Sequence, residues 1–245
     1  MPNADIVLPK LPAGTFSFAD PNAIVQQLLE LIDRAWAERQ HCPDGQSYAR
    51  IILVGHSLGA LLARKVYVCA CGQNADAPFE PEIVQRGEPT REWASKVERI
   101  ILFAGMNRGW TISHHLPLQK AILIRLGVFI GDILKLIRRR RLLYFQMRRG
   151  APFITQLRIQ WLSLLRHASM DKQGLGNALV IQLLGSIDDL VAPDDNLDLV
   201  TGQNFIYLDV PRSGHGNKVT ALGALNKRQF ATETSSYGSN AAVHL

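Results

Sequence analysis

The sequence predicts an α/β fold built on a mostly parallel sheet, and three observations carry that prediction. A continuous aliphatic run at Ile51–Val54 reads as a strand buried on both faces, and Val97–Ala104, Ala178–Leu184 and Phe205–Val210 read as further strands. Stretches of helical periodicity lie between them, and strands alternating with helices favour parallel pairing. A length of 245 residues with 47% hydrophobic and 20% charged residues fits one globular domain, 1–245, with a sizeable core and room for an insertion.

Taken in order, Ala4–Leu8 is a short apolar run closed by Pro9 and is expected to form the first strand. Asp20 followed by Pro21 has the pattern of a helix N-cap with proline in the first turn. Ile24, Val25, Leu28, Leu29, Ile32, Ala35 and Trp36 then recur at helical spacing, giving a stripe to pack on a sheet. Leu58–Ala70 reads as a helix closed by Gly72, and Gln73–Lys96 as a polar surface loop with a short helix. Leu116–Ile137 and Leu142–His167 show helical periodicity with arginines interleaved. No internal repeat is visible, and the small, polar tail from Ala231 is expected to fray.

Charge is unevenly distributed. The net charge is +6, yet Asn107–His167 alone holds 12 basic residues and one acid, Asp132, leaving 15 basic and 20 acidic residues elsewhere. Such a segment is expected to be a helical cap, 107–167, whose apolar face covers a pocket while its arginines meet solvent or anionic lipid headgroups. Nucleic acid is not an expected partner, because no recognised fold or aromatic platform accompanies the arginines. No basic n-region with an apolar h-region opens the chain, and no uncharged apolar run reaches the length of a membrane span. A cytoplasmic location, with peripheral membrane attachment through the cap, is the expectation. Three cysteines, Cys42, Cys69 and Cys71, make no disulfide framework and a poor metal site. No metal and no organic cofactor is implied.

The chemistry is carried by Gly55-His56-Ser57-Leu58-Gly59, set between a buried strand and a helix. A serine exposed on so sharp a turn needs small residues two before and two after it. The Leu58 N–H then points from the helix N-terminus toward a developing oxyanion. A serine hydroxyl becomes a useful nucleophile only when a histidine takes its proton and a carboxylate orients that histidine. Asp188 follows one strand in Gly185-Ser186-Ile187-Asp188-Asp189-Leu190-Val191, and His215 follows the next in Ser213-Gly214-His215-Gly216. Asp189 is the rival for the acid. His56, Met106 and His114 are the candidates for lining a pocket.

These three motifs resemble the α/β-hydrolase superfamily, and within it the lipase-like branch that includes PGAP-type (GPI inositol deacylase-like) hydrolases. The resemblance covers Ala4 to about Gly216 and implies the chain order Ser, acid, His found here. It also implies a strand that precedes Ala4–Leu8 in the chain, lies in the sheet between that strand and the nucleophile strand, and ends in a His-Gly-type loop donating a second oxyanion N–H. Only 56 residues precede Ser57, and no such loop is among them. The expectation is therefore that N-terminal strands are missing and the sequence is a fragment or has a mis-assigned start. Direct pairing of Ala4–Leu8 with Ile51–Val54 would refute it. The expected activity is cleavage of a lipid-like or acyl ester through an acyl-enzyme. The alternative is a non-catalytic binding or membrane-association module of the same fold.

Overall fold

The computed structural model describes residues 4–12, 17–42, 47–73, 90–110, 142–168, 174–185 and 204–210. Their architecture is an α/β fold: a parallel four-stranded sheet flanked by helices. The strands are β1 (Ile51–His56), β2 (Val97–Phe103), β3 (Leu179–Gly185) and β4 (Phe205–Val210), in spatial order β1-β2-β3-β4. Each neighbouring pair is parallel, with Leu53 opposite Ile100, Ile100 opposite Val180 and Val180 opposite Phe205.

Helix α1 (Pro21–Gln40) begins where its sequence directs. Asp20 is the N-cap, its carboxylate accepting the Asn22 N–H at 2.9 Å, and Pro21 occupies the first turn, where its missing N–H is no loss. Helix α2 (Leu58–Ala70) follows β1, and Gly72, at φ +75°, takes the left-handed conformation just past its end. A 3₁₀ turn (Glu92–Lys96) leads into β2. Short helix α3 (Leu143–Gln146) and long helix α4 (Pro152–Ala168) precede β3. The periodicity over residues 142–167 thus belongs to two helices. Gly150, at φ +79°, and Pro152 separate them, the first free to turn the backbone left-handed and the second suited to a helix start.

Helix α2 is the centre of the molecule. It packs against β1, α1 and α4, and ten of its residues are buried. Because side chains alternate across a strand, Leu53, Ile100, Leu102 and Val180 share one face and pack with Leu61, Leu62, Val66 and Trp161 of the helix layer in one core. Ile52, Ile181 and Leu183 are buried on the opposite face.

One expected strand does not form. Residues 4–8 are irregular, and within the described sheet β1 pairs with β2 alone. The apolar run is too short for a core strand: Ile6 is 60% exposed and Leu8 80%, while Val7 and Leu11 turn toward α1. Pro9, directly after the run, has no N–H to donate and keeps a ladder from extending past it. A side-chain bond from the Tyr48 hydroxyl to Asp5 at 2.8 Å holds the segment instead.

A narrow neck joins the chain after β2 to the stretch before α4. The Trp110 N–H donates to the Met147 carbonyl at 3.1 Å and the Arg149 N–H to the Trp110 carbonyl at 3.0 Å. The Trp110 indole stacks on Tyr144 with centroids 4.2 Å apart and donates to the Tyr144 carbonyl at 2.6 Å. Gly109 is obligatory there: an added Cβ would lie 2.7 Å from backbone atoms of Met147 and Arg149.

Candidate active site

Parallel strands end together, so the C-terminal edge of the sheet gathers the loops that follow β1, β2, β3 and β4. At that edge β1 stops at His56 and α2 starts at Leu58, leaving one residue, Ser57, to make the whole turn. Ser57 stands at φ +53°, ψ −115°, a strained conformation for a residue with a Cβ. It is the N-cap of α2 by position, but its hydroxyl does not cap the helix. The Ser57 N–H donates to the Phe103 carbonyl at the end of β2, 2.9 Å away, and the Ser57 carbonyl accepts the Ala60 N–H at 3.1 Å. The backbone of the serine is thereby fixed on both sides.

The two glycines of the elbow have different reasons. A Cβ on Gly55 would come within 2.4 Å of the Gly59 carbonyl oxygen and 2.7 Å of the Ala60 Cα, so the sharp turn demands glycine there. A Cβ on Gly59 would meet nothing within 4 Å. The expectation that both flanking positions must be small is corrected at Gly59, where the turn leaves open space. Leu58 occupies the first position of α2, where a helix cannot use its own N–H.

Behind the elbow lies a buried polar network that the sequence did not advertise. Arg64 Nη1 donates to Asn107 Oδ1 at 3.2 Å, Asn107 Nδ2 to Gln182 Oε1, and Gln182 Nε2 to the Gly105 carbonyl at 3.1 Å. All three side chains are at least 95% buried. The Arg64 guanidinium also sits 4.6 Å over the Trp161 ring. Gly105 completes the packing, since its missing Cβ would fall 3.2 Å from Ala60 Cβ in the elbow helix. Ala104, at φ +49°, makes the turn from β2 into this loop. Lys65, fully buried, donates to Gln160 Oε1 of α4 at 2.6 Å.

Of the residues singled out from the sequence, Gly55, His56, Ser57, Leu58 and Gly59 are brought together in the elbow. His56 ends β1 on the face of the sheet away from α2 and is exposed. Met106 is buried in the core with α2. Asp188, its rival Asp189, His215 and His114 lie outside the described residues, as does the basic run 138–141. The strands that lead to the first three, β3 and β4, end at the same edge as Ser57. The described part of the basic segment puts α4 in the helix layer against α2, burying Phe153, Leu157, Trp161 and Leu164, with Arg148, Arg149 and Arg166 exposed. Among the described residues no group of three or more His, Cys, Asp or Glu is placed to hold a metal, and no helix is long and apolar enough to cross a membrane.

The elbow and the parallel sheet define an α/β protein with a strained serine at the strand-to-helix turn. Its neighbours among solved structures are hydrolases and esterases of the α/β-hydrolase fold. One is a serine hydrolase from Cycloclasticus zankles, at 11% identity and TM-score 0.45 over 89% of this chain and 72% of that one. A peroxisomal α/β-hydrolase from Saccharomyces cerevisiae gives 14% identity and TM-score 0.44 over 91% and 64%. A meta-cleavage product hydrolase from Pseudomonas fluorescens gives 13% and 0.43 over 90% and 73%. No protein-family model matches the chain, and no curated protein matches it.

Proposed function

We propose that the protein is a serine hydrolase that cleaves a carboxylic ester, lipid-like or acyl, through a covalent acyl-enzyme. The observation that carries the reading is Ser57, held in a strained conformation between β1 and α2 with its hydroxyl not spent on capping. Strain of this kind persists where the surrounding structure over-determines it, and it is characteristic of functional turns.

In this reading Ser57 Oγ attacks the ester carbonyl as His215 takes its proton, and Asp188 orients the imidazole and stabilises the imidazolium. The negative oxygen of the tetrahedral intermediate is met by the Leu58 N–H and the positive end of α2. Collapse expels the alcohol, which leaves with the proton from His215. Water, deprotonated by the same histidine, then releases the acid and restores Ser57. The sheet order is consistent with this chain of roles: β3 and β4, which precede Asp188 and His215 in the chain, run parallel to β1 and end at the same edge of the sheet as Ser57. The three motifs favour the lipase-like, PGAP-type branch. The exposed arginines of the basic segment 107–167, Arg148, Arg149 and Arg166 among the described residues, then meet anionic headgroups, and liposome co-sedimentation checks it: stronger binding to anionic than to neutral vesicles at low salt is expected.

The test of the central claim is labelling by a fluorophosphonate, then hydrolysis of p-nitrophenyl esters of rising chain length. Labelling of the wild-type chain, lost in Ser57→Ala and sharply slowed in His215→Ala, is expected. A folded chain that never labels overturns the reading and leaves a non-catalytic module of the same fold.

A further inference from the structure

We infer that Gln182 and Asn107 are positioning residues for Ser57, acting through a strained turn at Ala104; the inference rests on the serine-hydrolase reading. Among the described residues, only two that are not glycine have a positive φ, Ser57 at +53° and Ala104 at +49°. They stand side by side. The register of β1 and β2 ends on the pair His56 and Phe103, and each strained residue is the next in its chain. The Ser57 N–H donates to the Phe103 carbonyl at 2.9 Å, so the serine is anchored on the peptide group that leads into Ala104. That group is planar and moves as one body. Rotation about the Ala104 N–Cα bond, with the chain beyond it held, therefore turns the Phe103 carbonyl.

The Cβ of alanine resists the left-handed region, and such a conformation persists where the surroundings over-determine it. Those surroundings are the two amides. Just past Ala104, the Gly105 carbonyl accepts Gln182 Nε2 at 3.1 Å. Asn107 donates to Gln182 Oε1 and accepts Arg64 Nη1 at 3.2 Å, which ties the far side of the turn to both β3 and α2. An amide carries donors and an acceptor on one group, so Gln182 holds a carbonyl and a side chain at once. The turn also touches the elbow helix: a Cβ on Gly105 would fall 3.2 Å from Ala60 Cβ, and the Ala60 N–H donates to the Ser57 carbonyl. Ala104, Asn107 and Gln182 are buried, so a lost bond leaves a polar group without water to replace its partner. Removing the Gln182 amide frees Ala104 to relax, turns the Phe103 carbonyl and moves Ser57. A misplacement of about 1 Å at a reacting centre can cost about a hundredfold in rate.

The experiment uses the full chain and measures the rate constant of fluorophosphonate labelling, with kcat and KM for p-nitrophenyl acetate. In Gln182→Met, shown to be folded by circular dichroism, labelling and kcat are expected to fall about tenfold or more while KM stays within about twofold. Gln182→Glu is the second variant if the first fails to fold: it keeps an acceptor for Asn107 and loses the donor to the Gly105 carbonyl. Adding Ala104→Gly to either is expected to recover at least about threefold, because glycine holds a positive φ without support. That glycine adds no contact, so a merely structural role would not be rescued by it. Trp93→Phe is the stability control, since it loses a 2.6 Å bond to Asp33 at the start of β2, the opposite edge of the sheet from Ser57, and should label at the wild-type rate. Variants at Gln182 that match the wild type, a loss that Ala104→Gly does not recover, or an equal loss in Trp93→Phe each overturn the positioning role and leave the hydrolase reading standing. A folded wild-type chain that never labels overturns both.

Discussion

The Ser57 N–H donates to the Phe103 carbonyl across 2.9 Å, joining the first residue beyond β1 to the last residue of β2. The serine's own N–H is thereby committed to the sheet, so in the proposed mechanism it is the neighbouring Leu58 N–H that serves as the elbow's donor. The same bond helps hold Ser57 in a conformation that a residue with a Cβ resists. Ser57→Gly is therefore expected to raise stability by about 1 kcal/mol while abolishing fluorophosphonate labelling. Urea unfolding of the two proteins measures it, and a destabilised glycine variant would show that the turn is unstrained.

Gly55→Ala works in the opposite direction. Its Cβ meets the Gly59 carbonyl oxygen and the Ala60 Cα, both backbone atoms that cannot swing aside. A loss of about 3 kcal/mol, with labelling slowed in whatever remains folded, is expected from overpacking at a rigid turn. Gly59→Ala is expected to be neutral or slightly stabilising, since its methyl enters open space and alanine is the better helix former.

The Arg64–Asn107–Gln182 network gives a third expectation. Asn107→Ala leaves a buried guanidinium and a buried amide each short of a partner, which should destabilise by about 2–3 kcal/mol. A double-mutant cycle with Gln182→Ala should return a coupling above about 0.5 kcal/mol, since the two side chains touch. Simple additivity would mean that the network is not a unit.

Alkaline pH should unfold the chain in a defined window. Tyr48 is pushed up to about 12 by burial, helped by its bond to Asp5, and burial raises Tyr67 as well. Unfolded phenols ionise near 10. Between those values the folded chain holds protons that the unfolded chain releases, so stability is full below about pH 10 and falls as pH rises through the folded values. Tyr48→Phe should flatten the early part of that fall; an identical slope would remove Tyr48 from the account.

The legibility of these features in the sequence followed the physics of each. Aliphatic runs marked β1 to β4 because strands under a helix layer need them, and the glycine past Ala70 marked the end of α2 because a left-handed turn does. Residues 4–8 misled because a short apolar run looks the same whether it pairs or merely packs. The burial of Arg64 and Lys65 was not legible at all, since it depends on Asn107, Trp161 and Gln160, distant in the chain, coming to meet them. Ser57 was legible because a strained turn requires glycine at Gly55, an identity visible without coordinates.

The neck at Trp110 and Arg148 has a consequence for what the protein can become. It joins the two ends of the stretch between residues 110 and 142 with backbone bonds and a stacked ring pair. Loop-closure entropy changes by only about 0.6 kcal/mol for each doubling of length. The closure itself is therefore nearly indifferent to the length of chain between its two sides, and the neck acts as a clasp whose bonds are made wholly by residues at its base.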